Sequence, residues 1–229
     1  MDYREAVILS QKDLNILNID DGFITVLAKY GPSKVTKIPL FLNPEIAFFS
    51  ASIIGDGHLR KSKLQIDFEV GNKNLILQLI DICERNFNRI FNLKSRIVAG
   101  KKFYHVFIDS KAIYNFLRYV FEIPPGKKSH LVKVPDFIKF SSNEIKDAFL
   151  KGIMATEGGR RKRGYGLSTA SRVLWSDLAE LFKDVGINTL KDKWTHQTYK
   201  KEYYGLSFKE QDYFLLLSRG CQSGQMGCV

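Results

Sequence analysis

Residues 63–70 alternate strictly. Leu64, Ile66, Phe68 and Val70 are apolar, while Lys63, Gln65, Asp67 and Glu69 are polar. A period of two predicts a strand with one covered face and one open face. Before it, residues 44–55 are almost wholly apolar behind Asn43-Pro44, a helix cap and first helical residue. After it, residues 74–91 have helical period, with Ile76, Leu79, Ile80 and Cys83 on one stripe. Residues 94–99 and 103–108 predict a hairpin over Gly100-Lys101, with Tyr104, Val106 and Ile108 inward and Phe103, His105 and Phe107 outward. A helix over 110–121 stops at Pro124-Pro125-Gly126, and 127–140 is a basic connector holding Pro135.

The order then recurs. Ser142 caps a helix reaching Glu157, residues 165–169 form a strand, and Ser171 caps a helix over 171–185. Strands over 190–195 and 203–208 and a last helix over 211–217 follow. Residues 1–43 predict a β-rich extension, with strands over 23–30 and 37–42 entered by the turn Asp20-Asp21-Gly22. The chain therefore divides into an extension (1–43), a first half (44–128), a second half (129–220) and a tail (221–229).

The formal charge of +11 adds a partner class: nucleic acid or another anionic surface. It is divided. Residues 1–43 are net neutral, 44–128 carry +6 and 129–229 carry +5. No apolar run is long enough to span a membrane and no signal-peptide pattern opens the chain, which predicts a soluble, intracellular, cytoplasmic protein. Cys83 is expected in the core. Cys221 and Cys228, in a Gly/Ser/Gln tail without histidine, are expected to be two thiols, with a small disulfide loop as the alternative, and not zinc ligands.

Candidate chemistry lies at two helix ends. Residues 49–57 (FSASIIGDG) and 150–158 (LKGIMATEG) are each apolar and small, and each closes on one carboxylate and a glycine. The carboxylates, Asp56 and Glu157, are 101 residues apart. A helix C-terminus carries partial negative charge, so a carboxylate there calls for a cation. Asp56 and Glu157, with the carbonyls of Gly55 and Thr156, are hard oxygen donors suited to Mg²⁺. The small pairs Ala51/Gly55 and Gly152/Thr156 each line one helix face and would let the two helices pack backbone to backbone, bringing the acids together. The glycine after each acid is expected to take a left-handed cap.

These stretches resemble the paired signatures of the LAGLIDADG homing endonucleases, in the single-chain, two-motif form similar to archaeal rRNA-intron members. The resemblance covers about residues 44–220 and implies an α+β fold of two pseudo-symmetric αββαββα halves. Their saddle-shaped antiparallel sheets would sit on DNA. It implies Mg²⁺-dependent hydrolysis of both strands across a minor groove, leaving short 3′ overhangs, by an archaeal, intron-encoded monomer. Mn²⁺ would substitute, and Ca²⁺ would bind without supporting cleavage. The target would be a duplex of about 20 base pairs. Asp56 and Glu157 match the essential acidic positions. Ala155 stands where the signature has its first aspartate, a position that is not a ligand. Arg160 matches the basic residue near the second metal, and no counterpart emerges in the first half.

On this basis the expected DNA contacts in the first half are Arg60, Lys61, Lys63, Gln65, Asp67, Glu69, Arg96 and His105. Those in the second half are Arg160, Arg161, Lys162, Arg163, Ser168, Lys191, Lys193, Thr195 and Ser207. Mixed donors and acceptors on strands suit base edges, and the basic run 160–163 suits phosphates. His58 is expected to be structural, and Trp175 and Trp194 to be core. A second reading keeps the fold but makes the chain a non-catalytic or dual-function maturase that binds its own intron RNA.

Overall fold

A computed structural model describes residues 2–30, 34–162, 164–198 and 200–219. The extension begins with helix α1 (Tyr3–Ser10) and continues as the antiparallel sheet β1 (Asn15–Ile19), β2 (Phe23–Leu27) and β3 (Thr36–Pro39). Helix α1 and strand β1 add to the two strands expected there. Gln11 ties the extension to the first half by donating to the Ala112 carbonyl at 3.2 Å.

The first half runs α2 (Pro44–Gly55), β4 (Gly57–Arg60), β5 (Gln65–Val70), α3 (Lys73–Phe87), β6 (Lys94–Val98), β7 (Lys101–Ile108) and α4 (Lys111–Asn115). Residues 116–120 continue α4 as a π-helical turn. After the short α5 (Asp136–Lys139), the second half runs α6 (Asn143–Glu157), β8 (Gly158–Arg161), β9 (Gly164–Thr169), α7 (Arg172–Asp184), β10 (Leu190–His196), β11 (Lys201–Phe208) and α8 (Glu210–Ser218). The two four-stranded sheets have matching orders, β4-β5-β7-β6 and β8-β9-β11-β10, all antiparallel. Each motif helix feeds directly into an edge strand. Among the described residues no helix is long and apolar enough to cross a membrane.

α2 starts where its cap predicts: the Asn43 side chain accepts from the Ile46 amide at 2.8 Å, with Pro44 at the first helical position. Residues 46–54 are all buried. Its two buried serines satisfy their hydroxyls within the helix, Ser50 donating to the Ala47 carbonyl and Ser52 to the Phe48 carbonyl, both at 2.9 Å. α2 is buried on all sides because α6 packs along it. A methyl group on Gly152 would stand 2.4 Å from the Phe48 carbonyl oxygen and 2.8 Å from the Ala51 Cβ. One on Gly55 would stand 2.1 Å from Thr156 Oγ1. The small residues thus set the helix spacing, as expected.

The glycines after the acids serve space and not handedness. Neither Gly57 nor Gly158 has positive φ. Each opens a strand that folds back on its helix. A Cβ on Gly57 would lie 2.6 Å from Ile53 Cγ2, and one on Gly158 would lie 2.3 Å from the Met154 carbonyl oxygen. Cys83 is buried in the core, and Cys221 and Cys228 lie outside the described residues.

Candidate nucleic-acid-cleaving site

The tips of α2 and α6 present Asp56 and Glu157 side by side. Besides the Thr156 approach, a methyl on Gly55 would come within 3.3 Å of Glu157 Cγ. Burial, followed by repulsion from Asp56, pushes the Glu157 carboxyl up to about 6. Asp56 is also raised, by desolvation, against the pull of Lys128.

Lys128 is a candidate site residue that the sequence reading missed. It comes from the connector between the halves, and its ammonium donates to the Ile53 carbonyl at 2.8 Å, to the Ile54 carbonyl, and to the Gly55 carbonyl at 2.5 Å. All three ammonium protons are used, and the negative end of α2 is neutralised. Burial pulls Lys128 down to about 8, against the attraction of Glu157 and Asp56. This corrects one expected donor: the Gly55 carbonyl is held by Lys128, the nearest cation to three unpaired helix-end carbonyls. The Thr156 hydroxyl is turned back onto the Gly152 and Ile153 carbonyls, both at 3.1 Å. Lys128 also supplies the first-half cation that no residue after the first motif provides.

Among the described residues no group of three or more His, Cys, Asp or Glu is placed to hold a metal. The donor set is nevertheless that of a hard divalent ion sharing its shell with water and phosphate. Two adjacent carboxylates each resist ionisation, which a bound cation would relieve.

The open face of the first sheet is as expected. β5 pairs Asp67 with Phe107 and Glu69 with His105, and β7 pairs His105 with Lys94 and Phe103 with Arg96, all on the side away from the helices. Its charges are already paired, Arg60 to Asp67 at 2.5 Å and Arg96 to Glu69 at 2.8 Å, and the His105 ring lies 3.4 Å from Asp67. Gln65 bonds Asp109. The outward Phe107 is a platform, with Arg60 at 5.1 Å and Lys94 at 5.5 Å from its ring. Lys61 and Lys63 sit in the exposed β4–β5 turn, so the strand begins at Gln65, later than expected. His58 is exposed on the open face opposite Asp67.

The second sheet corrects the register. Ser168 and Ser207 lie on the open face, opposite Gly205 and Gly166. Lys191 and Lys193 lie opposite the buried Leu206 and Tyr204, and Thr195 opposite Glu202, so all three are on the helix side. Lys191 stacks over Trp175 of α7 at 5.0 Å, and Lys193 pairs with Glu202 at 2.7 Å. Asp192, Trp194 and His196 take the open face instead. Trp194 is 38% exposed and stacks on Tyr203 at 6.1 Å, which corrects its expected core position. Trp175 does pack against the core. In β8, Arg161 lies opposite Gly164 on the open face, whereas Arg160 lies opposite Tyr165, whose ring stacks on Tyr213 of α8. Arg160 is therefore on the helix side of an exposed edge strand. Lys162 is exposed in the turn, and Arg163 is outside the described residues.

Residues 144–220 match the family described as the LAGLIDADG-like domain. A structure of mesophilic variants of the homing endonuclease I-DmoI superposes with a TM-score of 0.55. It is 15% identical, and the match covers 76% of this chain and 93% of that one. I-DmoI in complex with DNA and Mn gives 0.52 at 16% identity, over 77% and 96%. Full-length DUF199/WhiA from Thermatoga maritima gives 0.51 at 12% identity, over 77% and 55%. Among curated proteins, the replication factor C small subunit of Methanocaldococcus jannaschii is 28% identical over 162 residues, 71% of this chain and 8% of that protein. The probable translation initiation factor IF-2 of the same organism is 26% identical over 182 residues, 77% of this chain and 15% of that protein. The chain thus spans about a tenth of the length of these curated relatives.

Two repeated halves meeting at paired acidic helix tips define a two-motif protein of the LAGLIDADG fold. The second half matches the LAGLIDADG-like domain in sequence, and both halves match the homing endonuclease I-DmoI in fold.

Proposed function

We propose that this chain is a site-specific endonuclease for double-stranded DNA that hydrolyses one phosphodiester in each strand. The observation that carries the reading is the meeting of Asp56, Glu157 and Lys128 at the joint of two open-faced antiparallel sheets. Asp56 and Glu157 would hold the divalent ion, Mg²⁺ or Mn²⁺. When bound, such an ion lowers the pKa of its water and stabilises charge on the phosphate oxygens. The chain itself holds the two carboxylates close together, Asp56 exposed and Glu157 half-buried, so that their mutual repulsion favours a shared cation. Lys128 fixes one positive charge at the α2 tip, where charge builds on a phosphate during displacement. One acid per half fits one strand each, with cutting across the minor groove to leave short 3′ overhangs. The duplicated motif within one chain fits a monomer.

The setting supports mobility. Segments related to this chain lie inside two curated proteins with unrelated names, a component of replication factor C and a translation initiation factor, as a small part of each. A coding unit that recurs in unrelated hosts is what a homing nuclease would produce, whether carried in an intron or in a reading frame.

The test is selection of cleaved sites from a random duplex library in Mg²⁺. The wild type should cut both strands, and Asp56→Asn and Glu157→Gln should bind the selected site uncut. A folded wild type that neither nicks nor cuts any site it binds rejects the reading. A second reading, a binding-only protein or a maturase acting on its intron RNA, is favoured by one observation: Lys128 already places one cation beside the two acids without metal. RNA splicing assistance that survives Asp56→Asn would support it.

A further inference from the structure

A cleft of about 730 Å³ lies between the three-stranded extension and the first half. Lys29 and Lys34 line it from the extension, and Lys63, Arg89 and Lys111 line it from the first half, against only Asp13 and Asp109. Arg89 is the fixed element. It is 9% exposed, and it donates to Thr36 Oγ1 and to the Asp109 carbonyl, both at 3.0 Å. Two of its five N–H groups are thereby used. Among the described residues neither Arg89 nor any of the four lysines is in an ion pair, although the first sheet pairs most of its charges. The Asp109 carboxylate is bonded to Gln65. Asp109 attracts Arg89, but five cations against two carboxylates leave the cleft lining with an excess of positive charge that an anion would offset. Lys63 also lines a separate basin formed by His58, Arg60, Lys61 and Ser62, so it is shared between the cleft and the β4–β5 turn.

We propose that this cleft is a binding site for a phosphate group, assembled jointly by the extension and the first half. The group would be a phosphodiester of duplex flanking the saddle, or a free phosphate ester. The duplex source rests on the DNA-binding reading above, and the site itself does not.

The test compares the wild type with Lys29→Glu/Lys111→Glu, which leaves the Arg89 tie to the extension intact. Amide resonances of Lys29, Arg89 and Lys111 are followed during titration with inorganic phosphate at constant ionic strength, and then with duplex. The expected result is saturable shifts in the wild type with both probes and none in the variant. The salt slope of duplex binding should fall by about one in the variant. Shifts with phosphate but not with duplex keep the site and assign it a free phosphate ester. Absence of shifts with both probes overturns the proposal. A wild type that binds no duplex at all sinks the nuclease reading, while the phosphate titration still reads the cleft.

Discussion

At the scale of single residues, the joint is a balance of three charges, and Lys128 is the one whose removal isolates the rest. Replacing it by methionine would leave the Ile53, Ile54 and Gly55 carbonyls without their donor and the two acids without their counter-charge. Lys128→Met is expected to cost about 1–3 kcal/mol in metal-free denaturant unfolding at pH 7. It should also slow cleavage at least tenfold, with little change in duplex affinity. Glu157 gives the pH dependence. Its folded pKa is raised from 4.5 to about 6, so the folded state binds this proton more tightly than the unfolded chain does. The ionised group therefore opposes folding at pH 7, and the penalty is relieved as pH falls through 6 towards 4.5. Glu157→Gln should stabilise the metal-free protein by up to about 2 kcal/mol at pH 7, and the gain should disappear near pH 4.5. Thermal unfolding across that range checks the sign. Saturating Mg²⁺ should favour the wild type and reverse the order at pH 7.

At the scale of elements, the α2–α6 seam fixes where the acids meet. Gly152→Ala would force a methyl group 2.4 Å from the Phe48 carbonyl oxygen, backbone that cannot step aside. A loss of about 1–3 kcal/mol is expected, with weaker cleavage because the tips separate. Gly159→Ala, with nothing within 4 Å, is the neutral control for stability. Both are read by denaturant unfolding. This seam was legible in the sequence because its signals are local: Asn43-Pro44, an apolar run broken only by small serines, small residues four apart, then an acid. β5 and β7 were legible for the same reason, since one face is covered and alternation is enforced. β10 was not, because its residues 190–195 are exposed on both faces. No burial pattern then distinguishes Lys191, Lys193 and Thr195 from Asp192, Trp194 and His196, and a slip of one residue reverses the faces. β4 and β8, at four residues each, are too short to show a period. Lys128 was hidden for another reason: nothing near it in sequence marks a contact made 73 residues away.

At the scale of the whole molecule, the two halves share topology but not surface. The open face of the first sheet is a lattice of paired charged side chains built around Phe107. The second offers a floor of Gly159, Gly166, Ser168, Gly205 and Ser207, with Trp194 lying across Gly205 and stacked on Tyr203. On the DNA-binding proposal, charge and shape would therefore do different work in the two half-sites. On the same proposal, Arg161 of the second half would contact a phosphate and Trp194 would make an apolar contact suited to a thymine methyl group in the major groove. Arg161→Gln should weaken binding of target and scrambled duplex alike and lower the salt slope by about one. Trp194→Ala should leave the slope unchanged and cost about 1–3 kcal/mol on the selected target only. The two variants are compared by measuring affinity for both duplexes at several salt concentrations. A slope change for Trp194→Ala, or a target-specific loss for Arg161→Gln, would show that this face does not divide positioning from reading in that way.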